Sequence, residues 1–191
     1  MLRPFMKKPA GMLATLCLII FGLSWKAGSG WGDMTFKPSQ VKAAFIYNLA
    51  YFVNWPKSYV CKDSGTFVIA VLGNDEIAHD LKILTQNEKV LGCNIRVKAY
   101  ASLTEIDPCR ILFVSRSAQT DLKKFLTHAT ESGILTVGDW DTFIRQGGMV
   151  GLIRKGKRIH LEINIEAARR AGIRFNAKLL KLADIVRTSG P

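Results

Sequence analysis

A mostly parallel, twisted sheet with helices on both faces and an antiparallel C-terminal β-hairpin, an α/β fold, is what this 191-residue sequence predicts. Three observations predict it. From Thr66 onward, short apolar runs (Phe67–Leu72, Ile111–Val114, Ile134–Val137) alternate with amphipathic stretches, the rhythm of strands buried on both faces and linked by crossover helices. Past Gly147-Gly148 the rhythm breaks, and polar Arg158, His160 and Glu162 alternate with apolar Ile159, Leu161 and Ile163, which describes a strand with one wet face. Lys155-Gly156 supplies the turn joining Met149–Ile153 to Arg158–Ile163 as a hairpin.

Each element follows in order. Arg3, Lys7 and Lys8 precede the apolar run Met12–Ser24 and the small residues Ala27-Gly28-Ser29-Gly30, the layout of a cleaved secretory signal peptide over residues 1–30. The run, about 13 residues, is short against the roughly 20 that a membrane-crossing helix needs. Cys17 lies mid-run without the small residue that precedes a lipidated cysteine, so it reads as hydrophobic filler. Residues 31–191 then form one exported domain of about 160 residues, enough for a sizeable core. Ser39 is placed to cap a helix Gln40–Trp55 that Pro56 stops. Val41, Ala44, Phe45, Leu49, Phe52 and Val53 recur at helical spacing as its core face. Ala43, Ile46, Tyr47, Ala50 and Tyr51 extend the apolar surface nearly all round, so this helix buries two sides, within the core or against another protein.

The first strand, Phe67–Leu72, ends at Gly73-Asn74-Asp75 and is followed by a helix Glu76–Leu84. Ile95–Tyr100 is the second strand and Ile111–Val114 the third; a helix Thr120–Thr130 closes at Gly133 before the fourth strand, Ile134–Val137. After the hairpin, Asn164 caps a helix Ile165–Ala171 ended by Gly172. A last helix, Ala177–Val186, aligns Leu179, Leu182, Ala183 and Val186.

Composition narrows the chemistry. Cleavage removes Arg3, Lys7, Lys8 and Lys26 and no acid, lowering the formal charge from +12 to +8. The remaining basic residues are scattered, the densest run (Arg154-Lys155-Gly156-Lys157-Arg158) is the hairpin tip, and export removes most nucleic acid, which is not expected as a partner. Cys61, Cys93 and Cys109 survive cleavage without Cys-x-x-Cys or cysteine–histidine spacing, so no metal site is expected. All three precede strands and belong at the amino-terminal edge of the sheet. With strand order 2-1-3-4, Cys93 and Cys109 stand two strands apart, roughly 9–10 Å, beyond an undistorted disulfide. Cys61–Cys93 and Cys61–Cys109 remain as pairings in an oxidising compartment, with one thiol left over.

In a doubly wound sheet, ligands bind outside the carboxyl ends of the strands. Asn74, Ser115, Arg116 and Asp139 stand there as ligand-binding candidates, although such residues also make turns and caps. No Gly-x-Gly-x-x-Gly follows the first strand and no Gly-Lys-Ser/Thr loop occurs, so no nucleotide or other cofactor is expected. There is no Gly-x-Ser-x-Gly, and His79, His128 and His160 lack a fixed acid partner; His160 and Glu162 share a strand face as any alternating hairpin arranges charged groups. No catalytic residues are assigned.

Two distant segments carry a resemblance. Val41-Lys42-Ala43-Ala44-Phe45-Ile46-Tyr47-Asn48-Leu49 with Asn54-Trp55-Pro56, and Gly147-Gly148-Met149-Val150-Gly151 through Glu162-Ile163-Asn164 to Ala167-Ala168-Arg169-Arg170-Ala171-Gly172-Ile173 and Lys178-Leu179-Leu180-Lys181-Leu182-Ala183, are similar to the YfiR family of exported bacterial proteins. Val71-Leu72-Gly73 and Ile111-Leu112-Phe113-Val114 extend the resemblance over essentially all of the mature chain. It implies a compact periplasmic α/β domain without catalytic activity. It further implies a repressor that binds an inner-membrane diguanylate cyclase, lowers cyclic di-GMP, can form a homodimer and meets the membrane only through its partner. The resemblance also puts a disulfide-bonded cysteine where Cys109 stands. Ile46, Tyr47 and Tyr51, with the C-terminal helix, are the candidate partner or dimer contacts. Release of the partner is expected to follow ligand binding or thiol chemistry. The alternatives are a periplasmic small-molecule binding protein or, further off, a hydrolase.

Overall fold

The computed structural model describes residues 36–55, 65–118 and 122–187; the predicted signal peptide and Cys61 lie outside them. Phe36–Pro191 is one compact unit. Pro38, whose fixed φ suits a first helical position, opens α1 (Pro38–Phe52), and the Lys37 backbone N–H donates to Gln40 Oε1 at 3.0 Å. Lys37 is thus the N-cap in place of the predicted Ser39, which lies inside the first turn. The helix ends before Trp55 because Val53, β-branched, leaves it in an extended conformation and begins β1 (Val53–Asn54).

The two apolar sides of α1 exchange roles in part, since Leu49 and Val53 are buried as expected. Ala43, Ile46, Leu49 and Ala50 are buried against the sheet, whereas Val41, Ala44, Phe45 and Phe52 are half-buried. Small Ala43 and Ala50 allow close approach to the strands, and a helix that is apolar nearly all round does not announce which side is inner.

The sheet elements follow: β2 (Thr66–Leu72), α2 (Asp75–Leu84), β3 (Lys89–Val90), β4 (Cys93–Tyr100), β5 (Ile111–Val114), α3 (Leu122–Glu131) and β6 (Leu135–Gly138). Then come β7 (Val150–Lys155), β8 (Arg158–Ile163), α4 (Ile165–Arg170), β9 (Arg174–Phe175), α5 (Ala177–Leu180) and β10 (Asp184–Ile185). Eight strands form a curled sheet in the order β10-β8-β7-β6-β5-β2-β4-β3. Its centre, β4-β2-β5-β6-β7, is parallel, with Ile69 opposite Val97 on one side and Ile111 on the other. The four strands predicted first, now β2, β4, β5 and β6, stand in the order 2-1-3-4. The β7–β8 hairpin is antiparallel in unbroken register from Val150↔Ile163 to Lys155↔Arg158.

Successive residues of a strand face opposite ways, and the core divides accordingly. Ile69, Val71, Ile111 and Phe113 pack with α1, α2 and α4 on one face. Ala70, Leu72, Leu112 and Val114 pack with α3, Trp140 and Phe143 on the other.

The predicted C-terminal helix is a correction. Asn176 caps a single turn, α5, after which Asp184 and Ile185 pair in parallel with Glu162 and Ile163. The outer edge of β8 has backbone groups that need partners, and Asp184-Ile185-Val186, two of them β-branched, satisfies them better as a strand than as more helix. At the far end of α1, β1 pairs antiparallel with β9, Val53 opposite Phe175.

Candidate functional site

The parallel strands bring Asn74, Ser115, Arg116 and Asp139 to one edge, as expected; the side chains of Asn74, Ser115 and Asp139 bond within the chain, while the Arg116 side chain is exposed. Asn74 Oδ1 accepts the Ile77 N–H at 2.9 Å and caps α2. Ser115 is buried, with its Oγ 3.2 Å from Ser117 Oγ, and the Ser117 hydroxyl donates to the Gly73 carbonyl at 2.8 Å. Asp139 accepts from the Arg116 backbone N–H at 2.9 Å and from Lys42 Nζ at 2.6 Å. The Lys42 and Asp139 side chains are only 16% and 9% exposed, so this ion pair clasps α1 to the ends of β5 and β6. A Cβ on Gly73 would lie 2.8 Å from Ala118 Cβ, so the turns after β2 and β5 meet closely there.

The charged group on β8 differs from the His160–Glu162 pair considered from sequence. Glu162 Oε1 is 3.1 Å from Lys155 Nζ, while His160 Nδ1 lies 3.9 Å from Asp184 Oδ2. Asp184 enters only because β10 adds to the sheet, a pairing that no local spacing announces. His79 and His128 are exposed on α2 and α3, and His128 Nε2 is 3.4 Å from Ser132 Oγ.

The cysteines separate. Cys93 is disulfide-bonded, and its mate lies outside the described residues. Cys109 is a free thiol, buried on the α3 face, and burial pushes its pKa up to about 12. The pairing of Cys109 implied by the resemblance is therefore corrected: its side chain packs among Leu112, Leu126 and Ile134 of the core.

The expected contact residues also divide. Ile46 is fully buried and forms no surface. The Tyr47 hydroxyl donates to Glu88 Oε2 at 3.1 Å and the Tyr51 hydroxyl to the Lys89 carbonyl at 2.9 Å, tying α1 to the segment after α2. Their rings meet edge to face with the hydroxyl oxygens 3.0 Å apart, and the neighbouring Tyr51 hydroxyl, burial and Glu88 hold the Tyr47 phenol well above its ordinary range. Tyr51 remains accessible at 46% exposure.

What α1 leaves open is its other side, flanked by two apolar grooves. One, about 500 Å³, lies between α1 and α2 and is lined by Phe36, Val41, Ala44, Phe45, Ile83 and Leu84, with Gln40, Asn48 and Asp80 among its polar residues. The second, about 530 Å³, runs between α1, β8 and α5 past Phe45, Phe52, Ile159, Leu161, Leu179 and Leu182. Leu182 is 76% exposed and Ile83 61%, large apolar side chains on the rims of these grooves. The periodicity had placed this side in the core, which is why neither groove was foreseen.

Among the described residues no helix is long and apolar enough to cross a membrane. Comparison with solved structures finds the fold again in a conserved domain protein from Vibrio cholerae O1 biovar El Tor, at 12% identity and TM-score 0.53, covering 81% of this chain and 61% of that one. An ABC domain in complex with L-Trp from Streptococcus pneumonia aligns at 15% identity and TM-score 0.49, covering 78% and 60%. The chain thus spans about 60% of the length of either structure. No curated protein sequence matches it. The YfiR/HmsC-like family model matches residues 39–184, from the first turn of α1 to β10, and the chain therefore belongs to this family of periplasmic regulators.

Proposed function

We propose that this protein is a non-enzymatic periplasmic regulator that binds an inner-membrane diguanylate cyclase and holds its cyclic di-GMP output low. The observation that carries the reading is the family match over residues 39–184, which takes in both α1 and the β8–α5 region. The exposed apolar surface supports a protein contact. Leu182 and Ile185 stand out beside the groove that Phe45, Phe52 and Leu179 line, and an exposed apolar patch, more than any single side chain, is where a partner commonly packs. The contact surface is accordingly placed on this side of α1, with Tyr51 at its margin and Ile46 excluded by burial.

Crosslinking the tagged exported protein in the periplasm is expected to capture an inner-membrane protein with a diguanylate cyclase domain, and deleting the gene to raise cyclic di-GMP. Leu182→Asp, at an exposed site, is expected to lower capture about tenfold or more without changing the melting temperature, as loss of an apolar anchor does at other interfaces. Recovery of the protein alone, with unchanged cyclic di-GMP on deletion, would overturn the reading in favour of a small-molecule binding protein.

A further inference from the structure

The β7–β8 hairpin leaves part of its outer edge uncovered. The Ile163 carbonyl accepts the Val186 N–H at 2.9 Å and so faces away from β7. Backbone groups alternate sides along an antiparallel strand, so the N–H and C=O of Ile159 point outward as well. β10 pairs only with Glu162 and Ile163, and among the described residues no strand stands beyond Ile159. This edge opens into the groove of about 530 Å³ between α1, β8 and α5, which Ile159, His160 and Leu161 all line. Successive side chains point to opposite faces of a sheet, so a groove that all three line reaches around the edge itself. On the α1 side its wall is carbon from Phe45, Phe52 and Leu179. Along the edge the free charge is positive. Lys155 is held by Glu162 at 3.1 Å and Asp184 at 3.6 Å, whereas Lys157 and Arg158 are exposed and meet no carboxylate among the described residues.

We propose that the outer edge of β8 beside Ile159 takes up an extended segment of a partner protein as an added strand, a segment in which apolar residues alternate with acidic ones. The segment's backbone pairs with the outward N–H and C=O of Ile159, groups that the sheet edge otherwise leaves to water. Every second side chain of such a strand lies on the α1 face and enters the groove over Phe45 and Phe52. The intervening ones stand on the face of Arg158, where a carboxylate finds a free cation. A second copy of this chain fits poorly. Two β8 edges meeting antiparallel at Ile159 would set Arg158 of each copy opposite His160 of the other and crowd the free cations of both tips. Charge on an edge strand opposes self-pairing of this kind while admitting an acidic segment. The proposal rests on the reading of this protein as one that binds a protein partner, and adds the mode and the chemistry of the contact.

Fluorescence anisotropy of the labelled peptide Glu-Val-Glu-Val-Glu-Val-Glu, titrated with the purified exported protein at neutral pH, tests it. Saturable binding is expected, about tenfold or more tighter than that of Lys-Val-Lys-Val-Lys-Val-Lys and weakening as salt is added. N-methylation of the acidic peptide's backbone amides keeps its side chains and removes its donors, and is expected to weaken binding about tenfold or more. Arg158→Glu is expected to erase the preference for the acidic peptide, with the melting temperature within a few degrees of the parent. Hydrogen exchange of the Ile159 amide, followed by NMR, is expected to slow when the acidic peptide binds. Equal affinity for the methylated or the basic peptide, no saturable binding, or unchanged exchange at Ile159 would each overturn the proposal. So would sedimentation of the protein with phosphatidylglycerol vesicles in place of peptide binding, which would give the charge of the tip to a membrane. Capture of the membrane partner separates the two readings. If Arg158→Glu captures it as well as the parent does, the added strand falls and the regulator stands; if the parent captures nothing, the regulator falls and the peptide titration still decides the edge.

Discussion

Cys109 is a thiol without a mate in a protein of an oxidising compartment, and its surroundings keep it inert. At 4% exposure and with burial raising its pKa to about 12, almost none of it is thiolate at neutral pH, and the thiolate is the reactive form. Native protein treated with iodoacetamide at pH 8 is expected to show no modification of Cys109 by peptide mass mapping, and full modification once urea unfolds it. Labelling of Cys109 in the native state at the rate of an exposed thiol would contradict this. At the same scale, single residues were unevenly legible. Asn164, predicted as a cap, accepts the Ala167 N–H at 2.9 Å, because Asn before a helical pattern has one favourable local use. Ser39 offered the same signal and was overruled by Pro38, whose ring suits the first helical position so well that the helix begins before the serine.

The longer strands β2, β4, β5, β6, β7 and β8 and helices α2, α3 and α4 were legible as elements because each has a strong pattern and a local stop: Gly133 and Gly172 both take positive φ where a helix closes. The failures share a cause, since α1 is apolar on both sides and β10 exists only through its pairing with a strand about 20 residues earlier. The turn segment between β6 and β7 was passed over as a connection, yet it carries a packed aromatic unit. Phe143 stacks edge to face on Trp140 at 4.7 Å and is clamped between Gly138 and Gly148, where a Cβ would come within 2.4 and 2.2 Å of its ring. Gly148→Ala is therefore expected to destabilise the protein by about 3 kcal/mol in urea unfolding, the upper part of the overpacking range. Phe143→Leu made with it is expected to recover part of that loss, because the two changes act on the same contact. An unchanged unfolding midpoint in Gly148→Ala would show that the ring moves aside freely.

For the molecule as a whole, the α/β class followed from alternation of strands and helices. The grooves beside α1 did not, because the fold class points to the strand ends instead. Asp139 ties the chain together at that edge. Removing its carboxylate leaves the Lys42 ammonium, 16% exposed, without its counter-charge, so Asp139→Ala is expected to cost about 3 kcal/mol in stability. Lys42→Met, which leaves a carboxylate still bonded to the Arg116 N–H, is expected to cost less. Equilibrium unfolding of the two variants checks the order, and a larger loss for Lys42→Met would reverse the account. On the outer side of α1, Phe45 stands between the two grooves and lines both. A side chain in a packed wall has few allowed rotamers, so an occupant that selects one for Phe45 on its own side reshapes the cleft on the other. Occupants of the two grooves would then share one free-energy cycle, and whatever factor the first imposed on the affinity of the second would be returned to it unchanged.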